Sequence, residues 1–334
     1  MSETLKLVHE LRLRGDNSNA RAFWAAWAPN GHHIVTAGTH SEVQLWDVST
    51  GRCFDTLRGH GDWVRYAAYS ADGNLIATAC DDGAVRIWDL TNNSSKPFFF
   101  TKPKTDRLSI RGVSISSDNK ILACADFLGQ VQIYRVLNGD PGEPAASFRA
   151  QRHYCLAAEF SGSSDNLLTC GSEGTAEIWP VMAILTGNPE GTAPRPSMVF
   201  RGHIGSVHDA SYSHDGSQIA TAGSDGTTRV WDASRGRQLF CSPPKNIDKL
   251  EQIAEWDMDF NKSLWANSAH ISPNRTMVAS SGNDGRLQIW SLQAHGLLIE
   301  HQLESEVRSV RFSPDGSSLV TASSDNIARV WQLE

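Results

Sequence analysis

"YSADGNLIATACDDGAVRIWD" occupies residues 69–89, and "YSHDGSQIATAGSDGTTRVWD" occupies residues 212–232. Both run from a Ser-x-Asp-Gly turn through Ile-Ala-Thr-Ala to an Asp-Gly turn, then along an alternating stretch that closes on Trp-Asp. Period-two alternation between Gly, Asn and Asp turn signals reads as short antiparallel strands joined by hairpins. Upstream, "RGHGDWV" (58–64) and "RGHIGSV" (201–207) place His60 and His203 each 28 residues before Trp88 and Trp231. A catalytic histidine is needed once, so a repeated spacing marks a repeated structural unit.

Sliding the chain past itself finds more copies. Two are close to the first pair: "WAPNGHHIVTAGTHSEVQLWD" (27–47) and "FSPDGSSLVTASSDNIARVWQ" (312–332). Three are weaker: "ISSDNKILACADFLGQVQIYR" (115–135), "SSDNLLTCGSEGTAEIWP" (163–180) and "ISPNRTMVASSGNDGRLQIWS" (271–291). The units end on Trp46, Trp88, Tyr134, Trp179, Trp231, Trp290 and Trp331, spaced 41 to 59 residues apart.

Four short strands in a unit of this size resemble the WD40 family, whose units are the blades of a β-propeller. The resemblance covers about residues 5–333. It implies an all-β, seven-bladed WD40-type propeller filling residues 1–334, with blades near 21–57, 62–101, 108–149, 153–200, 205–242, 264–304 and 306–333 plus 5–13. It also implies a hydrogen-bonded tetrad inside the blade, here His60, Thr78, Asp82 and Trp88, and again His203, Thr221, Asp225 and Trp231. Such a network stabilises only when both imidazole nitrogens and the indole N–H are satisfied. Other blades depart from it: Tyr134 replaces Trp, Leu128 stands where the Asp belongs, and Asp16 holds the first blade's histidine position. The chain ends on "NIARVWQLE", a third strand, while "LKLVHELRLRG" (4–14) resembles the fourth-strand segment "RCFDTLRG". The N-terminal segment is therefore expected to complete the C-terminal blade and remove exposed sheet edges.

Composition narrows the classes. The 334 residues are 40% apolar and 20% charged, an ordinary globular balance, and carry a net charge of −7. No basic excess neutralises phosphates, which argues against nucleic acid and anionic membranes as partners. No 18-residue apolar run reads as a membrane span. Six scattered cysteines, several inside predicted strands, read as reduced buried thiols and point to the cytoplasm or nucleus. Two stretches interrupt the rhythm. Residues 180–197 read as a Pro/Gly loop after a short helical turn. In 243–263, Ile247, Leu250, Ala254 and Met258 fit one side of a short helix capped by Asn246 or Asp248. Asp248, Glu251, Glu255, Asp257 and Asp259 make that second insertion either a solvated loop or an acidic lip for a partner.

The chemistry-bearing patterns are few. His203, Thr221 and Asp225 mimic a triad, but the same set recurs in blade two at the same offsets. His208, Asp209, His214 and Asp215 invite a metal, yet the strand separates His208 from the turn that holds His214 and Asp215. No phosphate loop or nucleophile elbow appears, so no metal, cofactor or catalytic residue is expected.

The resemblance implies partner binding around the channel mouth, at the start of each first strand and at the turn between second and third strands. Aligning the units places Phe23, Arg65, Arg111, His208 and Arg308 there, with Phe127 in the turn ring and Trp63, Tyr154 and Trp265 close by. Arginines and aromatics dominate interface energies. Arginine also grips carboxylate or phosphate with two donors. The expectation is a non-catalytic scaffold, a monomeric subunit of a hetero-complex, that docks an acidic or phosphorylated peptide or a domain. The alternatives are a propeller enzyme with a site at the channel mouth and a nucleic-acid-binding propeller subunit.

Overall fold

The computed structural model describes residues 4–14, 20–92, 97–100, 109–136, 143–187, 193–243 and 264–334. Among these residues the strands form seven four-stranded antiparallel sheets, the blades of a β-propeller. Blade one is Ala22–Trp27, His33–Gly38, Glu42–Asp47 and Arg52–Arg58. Blades two to six repeat that order from Val64, Ile110, Cys155, Val207 and Ala266. Blade seven takes Val307–Phe312, Ser318–Ser323 and Ile327–Leu333 from one end of the chain, and Leu5–Arg12 from the other. Leu5–Arg12 pairs antiparallel with Ile327–Leu333, Leu11 opposite Ala328, with a register shift between Leu7 and His9. The first strand of every blade packs on those of its two neighbours, and blade seven packs on blade one.

Each sheet buries both faces, so the apolar residues gather between blades rather than in one central mass. Trp88, Ile76 and Val64 of blade two pack with Val35, Val43 and Leu45 of blade one. Trp331 packs with Ile289 and Ile299 of blade six, and Trp231 with Leu168 and Ile178 of blade four. Ala-Thr-Ala in the second strand is small because these sheets approach closely, and its Thr has one further task. The indole N–H of the third-strand tryptophan donates to it: Trp46 to Thr36, Trp88 to Thr78, Trp179 to Thr169, Trp231 to Thr221 and Trp331 to Thr321, at 2.9–3.0 Å. Blade six uses Ser280 for Trp290 (3.2 Å). In blade three the Tyr134 hydroxyl donates to Gln132 instead (2.8 Å). The Trp-to-hydroxyl bond is thus the recurrent element, and histidine joins it in only two blades.

Leu128 stands where the tetrad Asp was expected, and the turn there is capped another way. Asp126, two residues earlier, accepts from the backbone N–H of Leu128 (2.8 Å) and Gln130 (2.9 Å), so blade three caps its turn from a different position. A helix, Val181–Thr186, opens the insertion after blade four's third strand and buries Val181 and Ile184. Asp16 and the helix and acidic lip expected within 244–263 lie outside the described residues.

Truncating Leu11, 1% exposed between blades seven and one, is expected to cost about 2–5 kcal/mol as Leu11→Ala. Leu7→Ala, on the 43% exposed Leu7 of the same strand, should stay within about 0.5 kcal/mol. Denaturant unfolding of the two variants reads the difference.

Candidate functional site

Every first strand carries a register shift one residue after it begins. The skipped residues are Phe23, Arg65, Arg111, Leu156, His208, Asn267 and Arg308. A bulge leaves its extra residue without a cross-strand partner and re-aims the side chain. Seven bulges thus single out one side chain per blade at equivalent positions, and five of the nine expected contact residues stand there. The signal was in the sequence only as an alignment offset; the bulge behind it was not legible.

The side chains make a belt around the mouth. The Arg65 guanidinium lies 4.4 Å from the Phe23 ring centroid and 4.9 Å from that of Trp63, and Arg308 lies 5.1 Å from Phe23. Arg111 sits 4.6 Å from the Phe127 centroid, and Phe127 stacks on Tyr154 at 5.1 Å. Tyr154 shares a 2.6 Å hydrogen bond with Ser206. His208 stacks on Trp265 at 5.1 Å and bonds Ser224 through Nε2 at 2.9 Å. Cation–π contacts of this kind gain strength when the pair is desolvated.

Anionic groups answer two of the three arginines. Arg65 donates from Nε (2.8 Å) and Nη2 (2.5 Å) to Asp81, which also accepts from the Ser109 hydroxyl. Burial raises the Asp81 pKa, but these donors outweigh it and hold the carboxyl below its usual range. Arg308 donates to Glu306 (2.6 Å) and Ser324 (2.8 Å). Among the described residues Arg111 has no such hydrogen-bonded partner, and burial together with the nearby Arg65 pushes its pKa down to about 10. The nine expected residues do not contribute alike. Phe23 is 7% exposed, so it packs beneath the arginines rather than offering a contact surface. Burial drives His208 down to about 4, which makes it a neutral ring at neutral pH. Trp63 and Phe127 are the exposed aromatics, joined by Leu128, which the sequence reading did not include.

One layer below, Arg311 of blade seven reaches across the channel. It donates to both oxygens of Asp209 in blade five (3.0 and 3.2 Å) and to Ser268 in blade six (2.7 Å). Its guanidinium also lies 4.2 Å from the Trp24 centroid in blade one. Asp209 is thereby held in a buried ion pair, away from any metal set with His214. Neighbouring inner strands are tied by side-chain acceptors as well: Ser309 for Ala25 N–H, Ser114 for Phe160 N–H and Glu159 for Tyr212 N–H.

The two tetrads differ. In blade five His203 Nδ1 donates to Asp225 (3.0 Å), and Nε2 meets the Thr221 hydroxyl (2.8 Å) that also accepts from Trp231. In blade two Arg86 intrudes: its Nη1 donates to Asp82 (2.8 Å) and lies 2.5 Å from His60 Nδ1. His60 Nδ1 thus faces both Arg86 and the Asp82 carboxylate (3.4 Å), and Nε2 meets the Thr78 hydroxyl (2.6 Å). His60, Cys80 and Asp82 gather within 4.8 Å, the spacing of a metal set. The Arg86 cation already stands against two of the three, and blade five builds its network with Gly223 in place of Cys80. Burial raises the buried thiols, Cys124 to about 12, so they are protonated and inert at neutral pH. A 510 Å³ cleft lined by Arg237, Phe240, Arg275 and His295 opens on the opposite rim between blades five and six.

Two outcomes test this geometry. Thr221→Val strands both the Trp231 N–H and His203 and should cost about 1–3 kcal/mol in chemical unfolding. Burial raises the Glu159 carboxyl from 4.5 to about 7. The folded state then binds that proton more tightly than the unfolded chain, so stability falls as pH rises from about 4.5 through 7. Glu159→Gln should remove that part of the slope in melting curves taken across this range; an unchanged slope would show that Glu159 titrates normally.

Comparison with known proteins adds the following. A family model described as "WD domain, G-beta repeat" matches residues 51–89, 194–232, 261–291 and 294–332. The chain is 32% identical over 143 residues to small ribosomal subunit protein RACK1 of Candida albicans, covering 40% of this chain and 39% of that protein. It is 24% identical over 227 residues to apoptotic protease-activating factor 1 of Rattus norvegicus, covering 68% of this chain and 16% of that protein. It is 23% identical over 184 residues to protein hir-1 of Neurospora crassa, covering 52% and 17%. The chain thus spans well under half the length of the curated relatives it matches.

Proposed function

We propose that this chain, whose repeats match the WD40 family model, is a non-catalytic docking scaffold that holds partner proteins at the channel mouth. The observation that carries the reading is the convergence of Trp63, Phe127, Arg65, Arg111 and Arg308 on one rim, two exposed aromatics among three arginines. Residues of these types dominate interface energies when clustered. The scaffold contributes rigidity: blade-to-blade packing and the cross-channel Arg311–Asp209 pair fix the loops in advance, so a partner docks without ordering them. The partner on this reading is an acidic or phosphorylated peptide, or a domain presenting one, and the chain acts as a monomeric subunit of a hetero-complex. Among the three arginines Arg111 recognises its anionic group, Arg65 and Arg308 being answered by Asp81 and Glu306, and Trp63, Phe127, Tyr154 and Trp265 give it apolar contact. Reduced, buried cysteines favour the cytoplasm or nucleus as its place of work.

Relatives named for a ribosomal subunit and for activating a protease support work done together with other macromolecules. An enzymatic reading has less behind it. His60, His203, His208 and His270 are engaged with structural partners, and burial holds His60, His208 and His270 neutral.

The test is a tagged pull-down read by mass spectrometry, comparing wild type with Trp63→Ala/Phe127→Ala. Both side chains are over 40% exposed, so the variant should fold with an unchanged melting temperature. Partners recovered with wild type should fall at least about tenfold with the variant. Identical partner lists would move the docking surface elsewhere, with the 510 Å³ cleft between blades five and six as the next place to mutate.

A further inference from the structure

The donors of the belt are unevenly engaged, and from this we infer the chemistry of the occupant. Resting on the docking role above, the central subsite takes one carboxylate side chain, Asp or Glu, on Arg111. An apolar residue next to it in the partner chain seats on Phe127 and Leu128.

Arg65 has Nε and Nη2 on Asp81, and Arg308 has Nε on Ser324 and Nη2 on Glu306. Among the described residues the Arg111 guanidinium has no hydrogen-bond acceptor, and its Nε is buried without a partner. A desolvated donor with no acceptor is costly, and a guanidinium in that state is answered best by an anion. The neighbours sharpen this. Arg65 and Arg308 lie within electrostatic reach of Arg111, and Arg21 within reach of Arg308, against the carboxylates of Asp81 and Glu306. The mouth is therefore short of negative charge at Arg111.

The engaged donors also select the anion. A phosphoryl group brings nearly two charges and three strong acceptor oxygens, and needs several open donors around it. Here Asp81 takes Nε and Nη2 of Arg65, Ser324 and Glu306 take Nε and Nη2 of Arg308, and the two carboxylates would stand beside the added charge. A carboxylate is matched by one planar fork, and Arg111 supplies one.

The apolar half rests on blade three. At the position of Leu128 the second-to-third-strand turns of blades two, five, six and seven place Asp82, Asp225, Asp284 and Asp325. Blade three moves the turn-capping carboxylate to Asp126, which frees Leu128 to be apolar, and Leu128 is 56% exposed. Beside it Phe127 is 43% exposed and carries the Arg111 cation at 4.6 Å. An acid paired with Arg111 is thus held next to an apolar shelf that stays exposed.

The experiment selects a displayed random-peptide library on the whole immobilised chain, then counter-selects on Arg111→Gln after its melting temperature has been compared with wild type. The expected pool carries Asp or Glu beside Leu, Ile, Phe or Met. Its best peptide should lose about thirtyfold in affinity on Arg111→Gln, recover in part on Arg111→Lys, and weaken on Phe127→Ala. Replacing its acid by Gln should abolish binding, and replacing it by phosphoserine should weaken it. A pool without acidic residues, a pool that binds Arg111→Gln equally, tighter binding of the phosphoserine form, or no enrichment would each overturn the inference. The docking face itself is judged apart from this, by the pull-down with Trp63→Ala/Phe127→Ala.

Discussion

A β-bulge places two residues of one strand opposite one of its partner, and the unpaired side chain has to leave the plane of the ladder. Here seven inner strands carry that irregularity at the same level, from Phe23 in blade one to Arg308 in blade seven. Regular pairing at those positions would return alternate side chains to the blade interiors, where an arginine would be a buried, unpaired charge. The bulges therefore decide which side chains leave the ladder at that level. They also set the layer beneath, because the residue after each bulge rejoins the ladder: Trp24, Tyr66, Asp209 and Ser268 are four of these.

That lower layer explains how a ring of separate sheets keeps its mouth in shape. Arg311 ties blades five, six and one across the channel through Asp209, Ser268 and Trp24. Such a buried pair is weak evidence for net stability, since desolvation offsets much of its attraction. Its geometric consequence is firmer: the partners share one arrangement, and inner strands with no covalent connection are held in register. Gly112, next to the Arg111 bulge, shows how tight that register is. A Cβ there would come within 2.7 Å of Ala158 N and 2.8 Å of Ala157 Cα in blade four.

Repetition with local exceptions is the other organising feature. The Trp-to-hydroxyl bond recurs in six blades, so it belongs to the unit. Histidine joins in two of the described blades, and in one of them Arg86 stands beside its Nδ1 and shares its carboxylate partner Asp82. Blade three departs most, with Tyr134 for Trp and Asp126 in place of the usual turn position. It is also the blade that exposes Phe127 and Leu128 at the mouth. The departures from the repeat gather where the surface is least explained by the repeat's own needs.

The sequence by itself determined the unit: alternation, turn residues and the recurring aromatic fix seven four-stranded sheets, because each of those signals is local. It also set Arg65, Arg111 and Arg308 at equivalent positions of their blades, and each is the residue that the register shift skips. Only the tertiary structure decided what those residues do there. Asp209 read as a doubtful metal ligand until Arg311, 102 residues away, closed on it. Phe23 read as a contact residue and proved to be packing, and Leu128 read as a defect and proved to be exposed surface. Pairing and burial of these groups arise between blades far apart in the chain, and local pattern carries no record of which side chain from another blade will stand opposite.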